Sequence, residues 1–149
     1  AAFLDRVGAT RVYEVPASDQ VPDAEAAASS YSSTVRAEGG GGFDVLMLGV
    51  GPDGHIASLF PGHPGLDVTG AIATAVHDSP KPPPDRVTLT FEALDRAHTV
   101  WFLGSGEAKA DAVARALADE GTVAETPARG VKGIAETTWF LDTAAAARL

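Results

Sequence analysis

Short apolar runs alternate with glycine- and proline-rich turns along most of the chain. The clearest run, Phe43–Val50, is apolar except for Asp44 and follows Gly42. Because it is too short for a typical globular helix, it is predicted to be a central parallel strand that is covered on both faces. Two later apolar runs are predicted as further strands: Thr99–Leu103 and Thr138–Leu141.

Alanine-rich segments supply the helical pattern. Asp23–Glu38 follows Pro22, at which a helix can start, and it ends before the glycines at 39–42. Glu107–Glu120 has apolar residues at helical spacing and acids in its first turn, where the helix dipole favours them. Both segments are therefore predicted as helices.

The remaining segments predict shorter elements. Ser79–Pro84 contains four prolines, which fix φ and disfavour helix before each of them, so we expect a stiff, extended arm. Pro61 limits the helical potential of Ile56–Phe60 to a turn or two. Helices are also predicted at Ala1–Arg6, Phe91–Ala97 and Thr143–Leu149, and strands at Thr10–Val15, Ala71–His77 and Arg86–Thr90.

This alternation of strands and helices is typical of the α/β class with a mostly parallel sheet. The chain has 149 residues, a length that fits a single domain with a core of its own. We therefore expect residues 1–149 to form one α/β domain.

Charge and composition exclude several kinds of partner. The net charge of −9 comes from 20 acids against 11 bases, without a basic stripe, which disfavours binding to nucleic acid or to an anionic membrane. No apolar run approaches the ~18 residues of a membrane span. The absence of cysteine excludes disulfides, thiolate metal sites and a cysteine nucleophile, and it is compatible with a reducing cytoplasm. A cytoplasmic protein is predicted, whose oligomeric state the sequence leaves open.

Residues suited to catalysis directly follow the predicted strand Phe43–Val50. Gly51 and Gly54 permit tight turns and close backbone approach to a ligand. Asp53 and His55 lie at the carboxyl end of the strand, where open α/β sheets bind ligands. Two interpretations stay open for this pair. In the first, Asp53 caps a short helix and His55 bonds to the backbone. In the second, His55 takes a proton from water and returns it to a leaving oxygen, and Asp53 orients the imidazole.

The spacing of glycines at 49, 51 and 54 also matches a dinucleotide-binding loop. Such a loop needs a full helix whose amino end faces the pyrophosphate, and Pro61 leaves no room for one. Position 52 is itself a proline, which removes one backbone donor. A nucleotide cofactor is therefore disfavoured, and no cofactor is predicted.

Two lysines are candidate anion ligands. Lys81 lies within the proline arm, which limits the conformations that its backbone can sample and suits an anion clamp. A solvated lysine or a proline-rich adaptor ligand are the alternatives. Lys109 opens a helix after a glycine turn, against the dipole preference, which indicates a nearby negative group. Glu107 or Asp111 are equally suited to pair with it.

Neither a metal site nor a serine nucleophile is predicted. The histidines outside the glycine loop lack the spacing of metal ligands, and no acid-rich ligand cluster accompanies them. No serine lies in a nucleophile-elbow sequence.

Three segments taken together resemble the 6-phosphogluconolactonase family. They are Gly-Val-Gly-Pro-Asp-Gly-His-Ile-Ala-Ser-Leu-Phe-Pro (49–61), Ser-Pro-Lys-Pro-Pro-Pro-Asp-Arg-Val-Thr-Leu-Thr (79–90) and Gly-Ser-Gly-Glu-Ala-Lys-Ala (104–110). The resemblance covers most of the chain, and the first segment is its most specific part. It implies a doubly wound, Rossmann-like sheet of the sugar-phosphate isomerase type, and metal-free hydrolysis of 6-phosphoglucono-δ-lactone in the oxidative pentose phosphate pathway.

The resemblance also implies roles for single residues. His55 would activate the attacking water, with Asp53 and the amides of the loop at Gly51 and Gly54 shaping the site. Lys81 matches a position associated with the substrate phosphate, and Lys109 matches a lysine near the phosphate in related glucosamine-6-phosphate deaminases. The only partner expected is a small sugar phosphate.

The beginning of the chain departs from the family pattern. The family's first strand, its Ser/Gly-rich phosphate loop and a later Asp-Glu-Arg segment find no match here. The chain is therefore expected to be the carboxyl-terminal portion of a larger single-domain enzyme, without its first strands and weakly active or inactive alone. Three other functions remain alternatives: a glucosamine-6-phosphate deaminase or isomerase, a non-catalytic sugar-phosphate-binding module, and a nicotinamide oxidoreductase.

Overall fold

The computed structural model describes residue 4 and residues 6–149. The helix predicted at Ala1–Arg6 lies mostly outside the described residues. The centre of the fold is a parallel sheet of three strands in the order β1–β4–β5. These strands are β1 (Phe43–Gly49), β4 (Ala97–Gly104) and β5 (Glu136–Leu141), as the sequence predicts to within a few residues at each end.

The second pair of strands forms a separate layer. β2 (Ala73–Val76) and β3 (Arg86–Leu89) pair antiparallel, with Val76 opposite Arg86, so the proline arm is the loop that joins them. Helix α1 (Ala24–Glu38) packs against both strands and begins at Asp23, whose carboxylate accepts a hydrogen bond from the Ala26 amide. The predicted helix and strands exist, but these two strands lie outside the parallel sheet.

The later helices are shorter than predicted. Helix α2 spans Phe91–Leu94, because Ala97 already begins β4, and α3 spans Ala110–Leu117 after a 3-10 turn at Glu107–Lys109. Arg129 ends α3: its guanidinium donates to the carbonyls of Arg115 and Ala118, which have no partner inside the helix.

Three predicted elements are absent. Thr10–Val15 forms no strand among the described residues, and its Tyr13 hydroxyl instead donates to Glu38 of α1. Ile56–Phe60 holds an isolated bridge between Ile56 and Leu59 rather than a helical turn. Thr143–Leu149 is a series of turns, because its amides bond irregularly: Ala146 bonds four residues back, whereas Ala147 and Leu149 bond three residues back.

One face of the parallel sheet carries the main core, in which Leu46 and Leu48 of β1 pack with Phe102 of β4. The opposite face is open to solvent: Val45 is 46% and Met47 60% exposed. β1 stands at one end of the strand order and has one largely exposed face, so the predicted central position with both faces covered is wrong for the described residues. Side chains alternate between the faces of a strand, so Val45 and Met47 share the face opposite to that of Leu46 and Leu48.

No helix in the described part of the chain has the length and apolar character needed to cross a bilayer.

Candidate active site

The loop after β1 is closed by its own backbone. The Gly51 amide donates to the His55 carbonyl at 2.8 Å, and the Gly54 amide donates to the Gly51 carbonyl at 2.9 Å. Gly54 has a φ of 92°, a conformation that favours glycine. Its carbonyl accepts a hydrogen bond from Ala128, which ties the loop to the 3-10 turn Pro127–Gly130. Both glycine amides are thus used within the loop, and a contact of either glycine with substrate stays a prediction.

This loop brings Asp53 and His55 together. Nδ1 of His55 lies 2.6 Å from Oδ1 of Asp53, and the same oxygen accepts a bond from the His55 amide at 3.3 Å. The short contact assigns the Nδ1 proton to the bond with Asp53, which leaves Nε2 as the lone-pair nitrogen. The interpretation of Asp53 as a helix cap is wrong, because no helix follows the loop. The same fact removes the context that a dinucleotide loop needs.

The imidazole of His55 is half-buried and packs against the ring of Phe60. Its side chain is 18% exposed, and its ring lies 4.6 Å from the buried ring of Phe60. Among the described residues, every fully buried side-chain nitrogen or oxygen has a hydrogen-bond partner. None of them bonds to Nε2 of His55, so this atom is not fully buried. This nitrogen is the one with a free lone pair.

The pKa values of both His55 and Asp53 are lowered in the folded chain. Partial burial lowers the pKa of His55, and the charges of Lys81 and Lys109 act in the same direction, against the hydrogen bond and charge of Asp53. Burial acts to raise the pKa of Asp53, but hydrogen bonds from His55 and the charges of His55 and Lys81 outweigh it and lower that pKa. Near neutral pH the pair is an ionised carboxylate beside a neutral imidazole, the state required of a general base.

Lys81 joins the pair from the proline arm. Its Nζ lies 3.3 Å from Oδ2 and 3.4 Å from Oδ1 of Asp53, and 3.2 Å from Nδ1 of His55. Because Nδ1 carries a proton, the ammonium is bound through the carboxylate. The interpretations of Lys81 as a merely solvated residue or an adaptor ligand do not fit this placement. A phosphate contact of Lys81 stays a prediction.

The second lysine lies near the same site. β1 and β4 pair in parallel with Gly49 opposite Leu103, so the turn after β4 and the loop after β1 lie at the same edge of the sheet, and the charge of Lys109 contributes to lowering the pKa of His55. Asp111 pairs with Arg148, and no ion pair of Lys109 occurs among the described side chains. The turn itself already holds a negative group, since the Asp142 carboxylate accepts bonds from the Ser105 hydroxyl at 2.6 Å and the Gly106 amide at 3.0 Å.

Two of the other histidines, His77 and His63, have structural partners. His77 lies between two carboxylates, with Nδ1 2.7 Å from Asp85 and Nε2 2.7 Å from Glu25. His63 donates from Nε2 to the His77 carbonyl at 2.9 Å. In residues 6–149, no group of three or more His, Asp or Glu side chains is placed to hold a metal ion.

Sequence reasoning missed two residues next to the site. Phe60 supports the His55 ring, and the Arg86 guanidinium lies 5.5 Å from the centre of the Phe60 ring. Both are inside the motifs that carry the resemblance, but an apolar residue in a turn and an arginine at the start of a strand give no chemical signal in sequence alone.

Comparison with known proteins decides the family. The family model described as glucosamine-6-phosphate isomerases/6-phosphogluconolactonase matches residues 1–139. The chain belongs to this family. The predicted resemblance and the Rossmann-like α/β fold class are thereby confirmed.

Relatives in this family carry the lactonase name. The 6-phosphogluconolactonase of Streptomyces coelicolor is 46% identical over 99% of this chain and 60% of its own length. That of Mycobacterium leprae is 42% identical over 99% of this chain and 63% of its own. The solved structure of 6-phosphogluconolactonase from Trypanosoma brucei has a TM-score of 0.74 at 30% identity, covering 93% of this chain and 61% of that one. The chain thus spans about three-fifths of the length of these family members.

Proposed function

We propose that the Asp53–His55 pair catalyses the hydrolysis of 6-phospho-D-glucono-1,5-lactone to 6-phosphogluconate. The observation that carries this proposal is the 2.6 Å contact between Nδ1 of His55 and Oδ1 of Asp53, and the lowered pKa of each group favours a neutral imidazole beside an ionised carboxylate. The names of relatives in the family supply the substrate class. Since the chain spans about three-fifths of those relatives, the activity of the whole protein belongs to the proposal.

The proposed reaction uses His55 twice. Nε2 takes a proton from water while the water oxygen bonds to the lactone carbonyl carbon, giving a tetrahedral intermediate. The bond from that carbon to the ring oxygen then breaks, and the imidazolium returns the proton to the ring oxygen as it leaves. Asp53 stabilises the imidazolium between the two steps. One water is consumed and no oxidation state changes.

The cations beside the pair suit an anionic substrate. Lys81 is 40% exposed at its side chain and projects from the arm toward Asp53, and the charge of Lys109 acts on the same imidazole. We propose that both lysines contact the substrate phosphate, and that Gly51 and Gly54 allow the substrate close to the loop. An ammonium bound to one carboxylate still has donors for a phosphate oxygen.

We further propose that the reaction needs no metal ion, because an imidazole–carboxylate pair supplies the base by itself. The cytoplasm and the oxidative pentose phosphate pathway are the proposed setting, in keeping with a chain that has no cysteine. Retention of lactonase activity after dialysis against a chelator tests the first point, and its loss would contradict it.

The direct test compares two substrates and two histidines. Because the chain alone is expected to be weakly active or inactive, hydrolysis of 6-phosphogluconolactone above its uncatalysed rate, and deamination of glucosamine 6-phosphate, are measured for a protein of the length of its relatives that contains this chain. The same assays are made with His55→Ala in that protein. His98→Ala is the matched control, because His98 is exposed near the start of β4, at the opposite end of the parallel strands from the loop. We expect lactone hydrolysis alone, lowered about 10²–10⁴-fold in His55→Ala and unchanged in His98→Ala.

Other outcomes separate the competing functions. Deamination without lactone hydrolysis would assign the chain to the other branch of its family. Binding of 6-phosphogluconate at His55, seen by NMR, without turnover of either substrate would make the chain a sugar-phosphate-binding module. Either result, or hydrolysis that survives the loss of His55, contradicts the proposed lactonase.

A further inference from the structure

Arg86 begins β3 directly after the proline arm and holds three successive carbonyls of that arm. Its Nη2 donates to Lys81 at 2.9 Å and to Pro82 at 2.7 Å, and its Nε donates to Pro83 at 3.1 Å. Prolines have no N–H, so this arm cannot build a hydrogen-bonded ladder of its own. The guanidinium supplies the missing donors in a fixed geometry, which a single ammonium cannot reproduce.

Ser79 holds the beginning of the arm. The Ser79 hydroxyl also donates to the Lys81 carbonyl, at 2.8 Å, and the Ser79 amide donates to Pro84 at 3.0 Å. These bonds close the base of the loop. The Lys81 amide in turn donates to the Ser79 hydroxyl at 3.4 Å. Arg86 bonds to all three carbonyls from Lys81 to Pro83, so it holds the backbone of Lys81 together with Ser79 and links it to the two prolines that follow.

The same guanidinium contacts the support of the imidazole. Its carbon lies 5.5 Å from the centre of the Phe60 ring, and that ring lies 4.6 Å from the ring of His55. Arg86 therefore touches, on one side, the backbone that carries Lys81 and, on the other, the residue beneath His55.

We propose that Arg86 is a positioning residue that sets the place of the Lys81 ammonium beside the Asp53–His55 pair. It acts through the backbone of the proline arm and through Phe60. The inference extends the proposed function, but it concerns the geometry of the cluster, and it is tested without turnover.

The test is a double-mutant cycle on the titration of His55, followed by NMR at its ring Cε1–H. Four proteins are compared: the unchanged chain, Lys81→Met, Arg86→Lys and the double variant. Lys81→Met is expected to raise the pKa of His55, because a cation that lowers it is removed. Arg86→Lys keeps the positive charge but loses the guanidinium that bonds to three carbonyls. It is therefore expected to raise the pKa of His55 by at least half as much as Lys81→Met does. The double variant should have the same His55 pKa as Lys81→Met alone.

Arg96→Lys is the matched control, since Arg96 contacts the Gly41 carbonyl instead of the arm; it should leave the titration unchanged. Equal shifts in Arg96→Lys and Arg86→Lys would overturn the inference, as would a His55 pKa that Arg86→Lys does not move or shifts that add in the double variant. If Arg86→Lys does not fold, Arg86→Gln gives the same cycle. A chain that shows no lactonase turnover still yields this titration, so failure of one proposal is distinguishable from failure of the other.

Discussion

A methyl group on Gly51 would lie 2.0 Å from Nδ1 of His55, so the two residues are neighbours only because position 51 has no side chain. The same methyl would lie 2.5 Å from Oδ1 of Asp53. The side chains of Asp53 and His55 thus occupy the space that a Cβ at position 51 would fill. The Gly51 amide, bonded to the His55 carbonyl, fixes the bend of the loop.

Gly51→Ala should therefore separate Asp53 from His55. We expect a loss of about 1–3 kcal/mol in the free energy of unfolding and a fall of about 10²-fold in lactonase turnover, because a displacement of about 1 Å at the base has that effect. Thermal unfolding and steady-state kinetics measure the two. Gly49→Ala is the control, since a methyl there has no heavy atom within 4 Å; equal losses in both variants would contradict this account.

Asp53→Asn should lower the pKa of His55 further. The carboxylate opposes the lowering caused by burial and by the two lysines, and the amide of asparagine removes its charge. NMR titration of His55 measures the shift. Turnover should fall by about 10² or more, since the imidazolium loses its stabilising partner. An unchanged titration would show that Asp53 does not control the charge of His55.

Lys81→Ala should weaken binding of phosphorylated ligands selectively. We expect an affinity loss of about tenfold for 6-phosphogluconate and little loss for gluconate, because a charge-assisted bond to the phosphate disappears. Calorimetric titration with both ligands gives the two values. Equal losses would leave Lys81 with a role in the electrostatics of the pair and none in phosphate recognition.

His77 should make stability depend on pH. Its hydrogen bonds to Asp85 and Glu25 raise its pKa in the folded chain, so the stabilisation is complete below the unfolded pKa of about 6.5 and is lost as pH rises through the higher folded value. His77→Gln should therefore lower the melting temperature at about pH 5.5 and much less at about pH 8.5. His98→Gln is the control, and a His77→Gln effect that is equal at both pH values would contradict the prediction.

Much of the site could be predicted because its chemistry is local. Asp53 and His55 are two residues apart in one glycine loop. The residue types in this loop alone indicate a tight turn, a charged group and a base. Lys81 could be connected to them only through the family resemblance, since 26 residues separate it from His55. Phe60 and Arg86 act by packing and by bonds to carbonyls, for which a sequence carries no specific signal.

In the fold, too, local elements could be predicted from the sequence, whereas features that depend on distant residues could not. The strands β1, β4 and β5 follow from apolar runs, but their neighbours in the sheet depend on long-range pairing, so the place of β1 at one end of the strand order was not predictable. The extent of α3 was overestimated because its end is set by Arg129, a residue outside the helix. Thr10–Val15 has the composition of a strand and finds no partner strand in the described part of the chain.

The pH dependence of kcat/KM for 6-phosphogluconolactone, compared with the NMR titration of His55, tests the general base most directly. The rate should rise with pH as the imidazole loses its proton, with a midpoint that equals the pKa of His55, lies below the ordinary value of about 6.5, and moves down in Asp53→Asn. A midpoint that differs from the titration of His55, or that stays in place when Asp53 is replaced, would contradict the assignment of His55 as the base.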